Sequence, residues 1–175
     1  MIKIKLVLFG LLMLLISFSG FSQAGIKWMT WEEMMIQQKV TKKKVIIDLY
    51  TDWCGWCKKM DKTTFENPVI IDYLNNNYYS VKFNAEQKED LIFEGNTYKF
   101  VDNGRRGYHQ FAASLTQNQL SYPTYVFLNE DIQVLQVIPG YQEAKSFESI
   151  LNFFGGNYYK TVPWTKFEQD FQSKL

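Results

Sequence analysis

A mixed α/β architecture, one central sheet with helices on both faces, is the fold class this sequence predicts, and three observations predict it. Val45 to Tyr50 is a nearly continuous apolar run, as suits a central strand covered on both faces. Thr124 to Leu128 and Gln133 to Ile138 flank Asn129-Glu130-Asp131 and read as an antiparallel hairpin. Around them, segments of helical period alternate with β-rich runs in the order helix, strand, helix, helix, strand, insertion, hairpin, helix.

The N-terminus stands apart from that order. Lys3 and Lys5 precede an apolar run from Leu6 to Ile16, and small and polar residues follow through Ser22-Gln23-Ala24, the pattern of a secretory signal peptide over residues 1–24. The run is shorter than the roughly 20 residues a spanning helix needs, so no stable membrane insertion is expected after cleavage. No cysteine follows it to carry a lipid. Cleavage before Gly25 leaves 151 of the 175 residues, a length that suits one domain, 25–175, able to bury a core without structural disulfides. The leader takes two of the 19 basic residues and none of the 18 acids, so the acids of the remainder lead by one. That interspersed, near-neutral balance argues against a nucleic-acid partner.

Within the domain, Thr30 and Glu33 make a capping box ahead of Trp31, Met34 and Met35, predicting a helix to about Lys39. After the Lys42 to Lys44 turn comes the strand Val45 to Tyr50, then a helix from Cys54 to about Thr64. Pro68 sits at a first-turn position and opens another helix through Leu74, which Asn75-Asn76-Asn77 should stop. Tyr79 to Phe83 returns as a strand. Residues 86–119 read as an insertion: a hairpin of Leu91-Ile92-Phe93 and Tyr98 to Val101 around Gly95-Asn96, then a helix with Tyr108, Phe111, Ala112 and Leu115 on one face. After the second hairpin and Gly140, a helix runs from about Ala144 to Phe154 and ends at Gly155-Gly156. Pro163 opens a last short helix in a C-terminal extension, about 157–175, whose Trp164, Phe167 and Phe171 form an apolar stripe expected to fold back onto the domain.

The chemistry concentrates in Trp53-Cys54-Gly55-Trp56-Cys57-Lys58, which holds both cysteines of the chain. A structural framework would need more cysteines at wider separation. Tetrahedral zinc needs four ligands, and His109 is the only histidine. Redox exchange fits better, because a thiol attacks a disulfide only as the thiolate, and a helix N-terminus stabilises that anion with free N–H groups and partial positive charge. Cys54 would occupy that terminus. Cys57, three positions on, shares its helix face and can close a small ring that releases a substrate held through a mixed disulfide.

Four landmarks in order resemble the thioredoxin-like superfamily: the Trp-Cys-Gly-Trp-Cys-Lys motif, Asp48 six residues before its first cysteine, a Lys82-Phe83-Asn84 strand end, and Tyr122-Pro123-Thr124 before the hairpin. The resemblance covers roughly Ile26 to Phe154 and is closest to exported thioredoxin-like proteins; the 86–119 insertion and the C-terminal extension depart from it. It implies a thioredoxin fold with Cys54 as exposed nucleophile and Cys57 as shielded resolving thiol. It implies that Asp48 takes the proton from Cys57, and that Pro123 is cis and lies beside the cysteines with Tyr122 as the docking residue.

Read from the residues alone, Asp48 in a covered strand is costly unless paired, neutralised or useful, and burial would raise its pKa; a loop-capping aspartate is the plainer alternative. Lys82 is either the charge partner that tempers Asp48 or a solvent-facing strand lysine. Trp53, Gly55 and Trp56 border the sulfurs and supply a contact surface, with core packing an equal prospect for Trp53. Trp56 stands where relatives often carry proline or histidine, so the direction of electron flow stays open. His109, Arg105 and Arg106 read as surface residues of the insertion. Met29, Met34, Met35 and Met60 read as packing residues ahead of soft copper ligands.

The expectation is therefore an exported, periplasmic or secreted thiol-disulfide oxidoreductase. It would be monomeric, without metal or other cofactor, acting on exported proteins with cysteines or disulfides and regenerated by a redox partner. The rivals are a binding or chaperone module using the Tyr122-Pro123 edge without electron turnover, and a copper- or zinc-handling protein using the cysteine pair.

Overall fold

The computed structural model describes residues 25–175, so the leader expected at 1–24 lies outside the described residues. Its centre is the apolar run of the sequence, β2 (Lys44–Tyr50), hydrogen-bonded on both edges. β3 (Tyr78–Asn84) pairs with it in parallel and β8 (Thr124–Leu128) antiparallel, with Asp48 opposite Lys82 on one side and Tyr125 on the other. β1 (Trp28–Met29) extends the sheet beyond β3, and β9 (Val134–Pro139) closes it beyond β8, giving the order β1-β3-β2-β8-β9. The mixed sheet flanked by helices is the predicted class. β1 escaped the sequence reading because two residues carry no period; it is set by parallel pairing of Trp28 and Met29 with Ser80 and Val81.

Side chains alternate across β2 and split the core in two. Ile46, Tyr125 and Phe127 pack on one face with Met60, Phe65, Ile70, Leu74 and Phe147. Those residues come from α2 (Gly55–Lys62), α3 (Pro68–Asn77), the loop between them, and α5 (Ala144–Gly155). Val45, Ile47, Leu49 and Val126 pack on the other face with Trp31 and Met34 of α1 (Trp31–Val40) and with the insertion. Each fully buried aliphatic or aromatic side chain contributes about 1.5–3 kcal/mol, so neither face is dispensable.

The helix ends follow their caps with two departures. α1 begins at the expected capping box: the Glu33 N–H donates to Thr30 Oγ1 at 3.2 Å and the Thr30 N–H to Glu33 Oε2 at 2.8 Å. α3 does not stop at the asparagines but runs through Asn77. Their side chains are engaged elsewhere: Asn75 Oδ1 accepts the Lys27 N–H, Asn76 donates to Asp72, and Asn77 donates to the Tyr73 carbonyl. Asn75 and Asn76 spend their side chains away from the last-turn carbonyls, and Asn77 adds a second donor to one of them without ending the helix, although asparagine side chains ordinarily compete with a helix for its backbone groups. α2 in turn ends at Lys62, two residues short of expectation.

The insertion is two hairpins and a short helix. β4 (Leu91–Phe93) and β5 (Asn96–Tyr98) join through Glu94-Gly95, both at positive φ, so the turn sits one residue earlier than predicted. β6 (Phe100–Val101) does not continue β5; it pairs instead with β7 (Tyr108–His109). Tyr108 is thus a strand residue, and α4 (Gln110–Leu115) begins after it. Trp31 receives Phe93 and Phe111 edge-on at 5.1 and 4.6 Å between centroids, which docks the insertion onto α1.

In the C-terminal extension, α6 (Trp164–Asp170) folds back as expected, with Trp164 and Phe167 each 5.1 Å from Phe153 of α5. Buried Glu148 of α5 then accepts from the Ser173 hydroxyl at 2.5 Å and the Lys174 N–H at 2.9 Å, pinning the chain end.

His109 is a correction: expected on the surface, it is 0% exposed. The reason is the switch from strand to helix at this residue, which helical periodicity does not register. Its N–H donates to the Ala85 carbonyl at 2.6 Å, and its Nδ1 accepts the Phe111 N–H at 3.1 Å as the cap of α4. With Nδ1 accepting, the proton sits on Nε2, which donates to the Glu89 carbonyl at 3.1 Å. Burial holds the imidazole below its ordinary pKa, against the opposing pull of the Glu89 carbonyl and the Asp90 and Glu89 charges. A group lowered in the folded state stabilises above its unfolded value near 6.5 and loses that contribution as pH falls through the folded value. His109→Asn keeps a capping side chain but does not titrate. The stability advantage of the parent over this variant should therefore shrink between pH 7 and pH 5, measured by denaturant midpoints at each pH, and a constant advantage would refute the assignment.

Candidate redox site

β2 ends at Tyr50 beside the end of β3, and the short loop Thr51 to Trp53 carries the chain to Cys54. Cys54 is the cap residue of α2: its Sγ accepts the Cys57 N–H at 3.0 Å, and its own N–H is held by the Thr51 carbonyl at 3.1 Å. The two cysteines are joined as a disulfide, S–S 2.04 Å. A sulfur in this position receives a helix N–H and the positive end of the helix dipole, both of which favour a thiolate once the bond is reduced. The expected asymmetry of exposure is absent in the disulfide, since Cys54 and Cys57 are each 4% exposed. The closed ring lies against the domain, and the large apolar groups exposed beside it are the two indoles: Trp53 is 48% exposed and Trp56 57%.

Asp48 lies on β2, the strand that leads into the cysteine loop, and is 2% exposed. Burial pushes its carboxyl from 3.8 up to about 7; Lys82 pulls it down, and the Asp61 charge pushes it further up. Lys82 Nζ lies 3.5 Å from Asp48 Oδ2 and pairs more closely with Asp61 of α2. Its ammonium is also surrounded by the rings of Trp28, Tyr50 and Phe65, 5.1–5.9 Å from their centroids. Lys82 is therefore neither a free surface lysine nor a dedicated partner of Asp48; its charge is shared. Asp48 Oδ1 has no hydrogen-bond partner, and the buried Tyr125 hydroxyl and Thr51 Oγ1 are likewise unpaired among the described residues. Burial, then the charges of Asp48 and Asp61, hold the Tyr125 phenol far above its usual range.

The Tyr122–Pro123 bond is cis. Tyr122 lies edge-on to Trp53 at 6.1 Å, which puts the proline turn beside the cysteine loop. Among the described residues the backbone N–H and C=O of Tyr122 make no hydrogen bond. An open backbone next to a reactive sulfur is what strand addition by an extended peptide requires. Burial, then the Glu86 charge, raises the Tyr122 phenol to about 12, so it stays neutral at physiological pH.

Asp61, Tyr125 and Arg106 join the site without belonging to any of its sequence landmarks, and they differ in what the sequence shows of them. Asp61 lies four residues after Cys57 on one helix, a spacing that the sequence shows. Tyr125 follows from the register opposite Asp48, which needs the strand pairing. Arg106, expected as an ordinary surface residue, stacks on Trp53, and the sequence carries no signal for that. Met34 and Met60 are fully buried core residues and Met29 and Met35 pack against the core. No cluster of three or more His, Cys, Asp or Glu side chains is placed to hold a metal ion among the described residues.

Residues 31–155 match a family model described as a thioredoxin-like domain. Over 68 residues the chain is 32% identical to the thiol:disulfide interchange protein DsbD of Photorhabdus laumondii, covering 37% of this chain and 12% of that protein. It spans only a small part of the curated relatives it matches, 9% and 12% of the first two. Two solved structures share the fold. A thioredoxin from Thermus thermophilus superposes with TM-score 0.57 at 15% identity, covering 78% of this chain and 94% of that one. A putative disulphide-isomerase from Bacteroides thetaiotaomicron gives 0.54 at 20% identity, covering 79% and 94%.

The raised Asp48 carboxyl has a thermodynamic consequence. Its folded-state value lies above the unfolded one, so it supports folding fully below about pH 4 and loses that support as pH rises through about 7. A displacement of this size corresponds to on the order of 4 kcal/mol, a ceiling that local relaxation reduces. Asp48→Asn, isosteric and never ionised, should therefore be more stable than the parent at pH 8 by about 2–4 kcal/mol, with the gain fading toward pH 4. Equilibrium denaturation across that range checks it; a variant less stable than the parent at pH 8 contradicts the assignment.

Proposed function

We infer that this chain, which belongs to the thioredoxin-like domain family, is an exported thiol-disulfide oxidoreductase acting on cysteines of other exported proteins. The observation that carries this reading is the Cys54–Cys57 disulfide at the first turn of α2, with a titratable carboxyl buried behind it. Relatives named as thiol:disulfide interchange proteins support it over their matched stretch. What supports export is the leader pattern of residues 1–24, Lys3 and Lys5 before Leu6 to Ile16 and then Ser22-Gln23-Ala24. Among the described residues no helix is long and apolar enough to cross a membrane.

In the reducing direction, the Cys54 thiolate attacks one sulfur of a substrate disulfide, forming a mixed disulfide and expelling the other substrate sulfur as a thiolate. The Cys57 N–H at Cys54 Sγ and the helix terminus stabilise the attacking anion. Cys57 then gives its proton to Asp48, whose value near 7 suits it to carry a proton at neutral pH, and attacks Cys54 Sγ. The second substrate sulfur leaves as a thiolate and the Cys54–Cys57 bond closes. Two electrons have passed from the protein to the substrate, and the same steps in reverse oxidise a substrate dithiol. The open backbone of Tyr122 beside cis Pro123 holds the substrate segment extended across the sulfurs, with Trp53, Gly55 and Trp56 as the contact surface.

Replacing Cys57 by serine removes the resolving thiol only. This variant is expected to accumulate exported proteins joined to it through Cys54, visible as adducts on non-reducing gels that disappear with reductant. Cys54→Ser should trap none and lower the rate of protein-disulfide reduction by on the order of 1,000-fold. Absence of adducts together with full activity of Cys54→Ser would remove the reading.

A further inference from the structure

Both indoles that border the disulfide carry a cation on one face. The Arg106 guanidinium lies 3.9 Å from the centroid of Trp53. Lys59 Nζ lies 4.8 Å from the centroid of Trp56 and 4.7 Å from that of Tyr141. Neither Arg106 nor Lys59 forms an ion pair among the described residues. Two carboxylates lie near: Glu86, which accepts the Trp53 Nε1–H at 3.0 Å, and the exposed Asp52 next to Trp53 in the chain.

The loop that delivers Arg106 is braced by two of its own side chains, which accept its backbone N–H groups. Asn103 Oδ1 accepts the N–H groups of Arg105, Arg106 and Gly107 at 3.2, 3.3 and 3.0 Å, and Asp102 Oδ1 accepts that of Gly104 at 2.8 Å. Gly107 has φ +73°, and a Cβ there would collide with the Phe100 ring and the Val101 carbonyl oxygen. The β6–β7 ladder closes the base of the loop through Phe100 opposite His109 and Val101 opposite Tyr108. A guanidinium 3.9 Å over an indole face spends none of its five N–H donors on an ion pair among the described residues, and its planar fork matches a carboxylate bidentately. Trp53 also touches Tyr122, so a segment that pairs with the open Tyr122 backbone lies next to this fork.

We propose that the insertion makes the site selective for protein segments that carry aspartate or glutamate beside the reacting cysteine, with Arg106 as the specificity-determining residue and Lys59 as the second cation of the rim. This rests on the thiol-exchange reading above and adds the class of client to it.

The test uses pre-reduced protein and two peptides, each with one internal disulfide and identical except for flanking glutamates in one and flanking lysines in the other. Two electrons pass from the Cys54/Cys57 dithiol to the peptide disulfide, leaving the protein disulfide and the peptide dithiol. Taking the ratio of the two rates cancels any change in the reactivity of the protein's own thiols. The glutamate peptide should react roughly 10-fold faster at about 20 mM salt, with the ratio shrinking at about 0.5 M. Arg106→Gln should remove most of the preference, adding Lys59→Gln should bring the ratio close to one, and Arg106→Glu should invert it. Equal rates for the parent, or a ratio that Arg106→Gln leaves unchanged, would overturn the inference. If neither peptide is reduced by protein whose dithiol is verified by thiol titration, the thiol-exchange reading itself fails, and this inference with it.

Discussion

Placing β2 between a parallel neighbour and an antiparallel one is the constraint on which the remainder of this molecule depends. Each edge of Lys44–Tyr50 is consumed by backbone pairing, so its side chains have only the two faces of the sheet to occupy, and both are covered. That suits valine, isoleucine and leucine and makes an aspartate at position 48 an expensive guest. Its partners along the pairing directions are Lys82 and Tyr125, one a shared cation and the other an unpaired phenol, so the carboxyl is tempered without being satisfied. A carboxyl held in that condition titrates near neutrality, and it sits one short loop behind the sulfurs.

The same strand pairing brings the two halves of the site together. β2 leads into the cysteine loop, and β8, its antiparallel neighbour, begins directly after the cis Tyr122–Pro123 bond. Because β8 runs opposite to β2, its start and the end of β2 lie at the same end of the sheet, with Leu49 opposite Thr124. Sulfurs, buried carboxyl and open backbone thus depend on one register, and a slip by a residue would send Asp48 to the opposite face.

The insertion and the C-terminal extension use comparable packing to different ends. The extension lays Trp164 and Phe167 on α5 and is pinned by Glu148, away from the sulfurs. The insertion spends Phe93 and Phe111 on Trp31 and a buried histidine on the start of α4, and that rigid base carries a glycine-bounded loop to Trp53. Rigidity there has a functional sense, because an arginine on a fixed loop presents its fork without the ordering cost of a mobile one.

Much was legible in the order of residues: the central strand from its apolar run, the helix starts from Thr30 and Pro68, and the sulfur pair and its helix terminus from one hexapeptide motif. That order also pointed to Asp48, since a carboxylate inside an apolar run is conspicuous without any coordinates. These are local facts, written in spacing and period. Which side chains meet came from the folded chain. His109 looks like a surface residue until a strand ends at it and a helix begins. Lys82 looks like a partner for Asp48 alone until Asp61 and three rings share it. Arg106 has no signal at all until a loop of the insertion crosses to Trp53. The contacts of Lys82 and Arg106 join residues 17 to 54 positions apart, and the chain order holds no record of them because they are set by how the sheet and its insertion close in space.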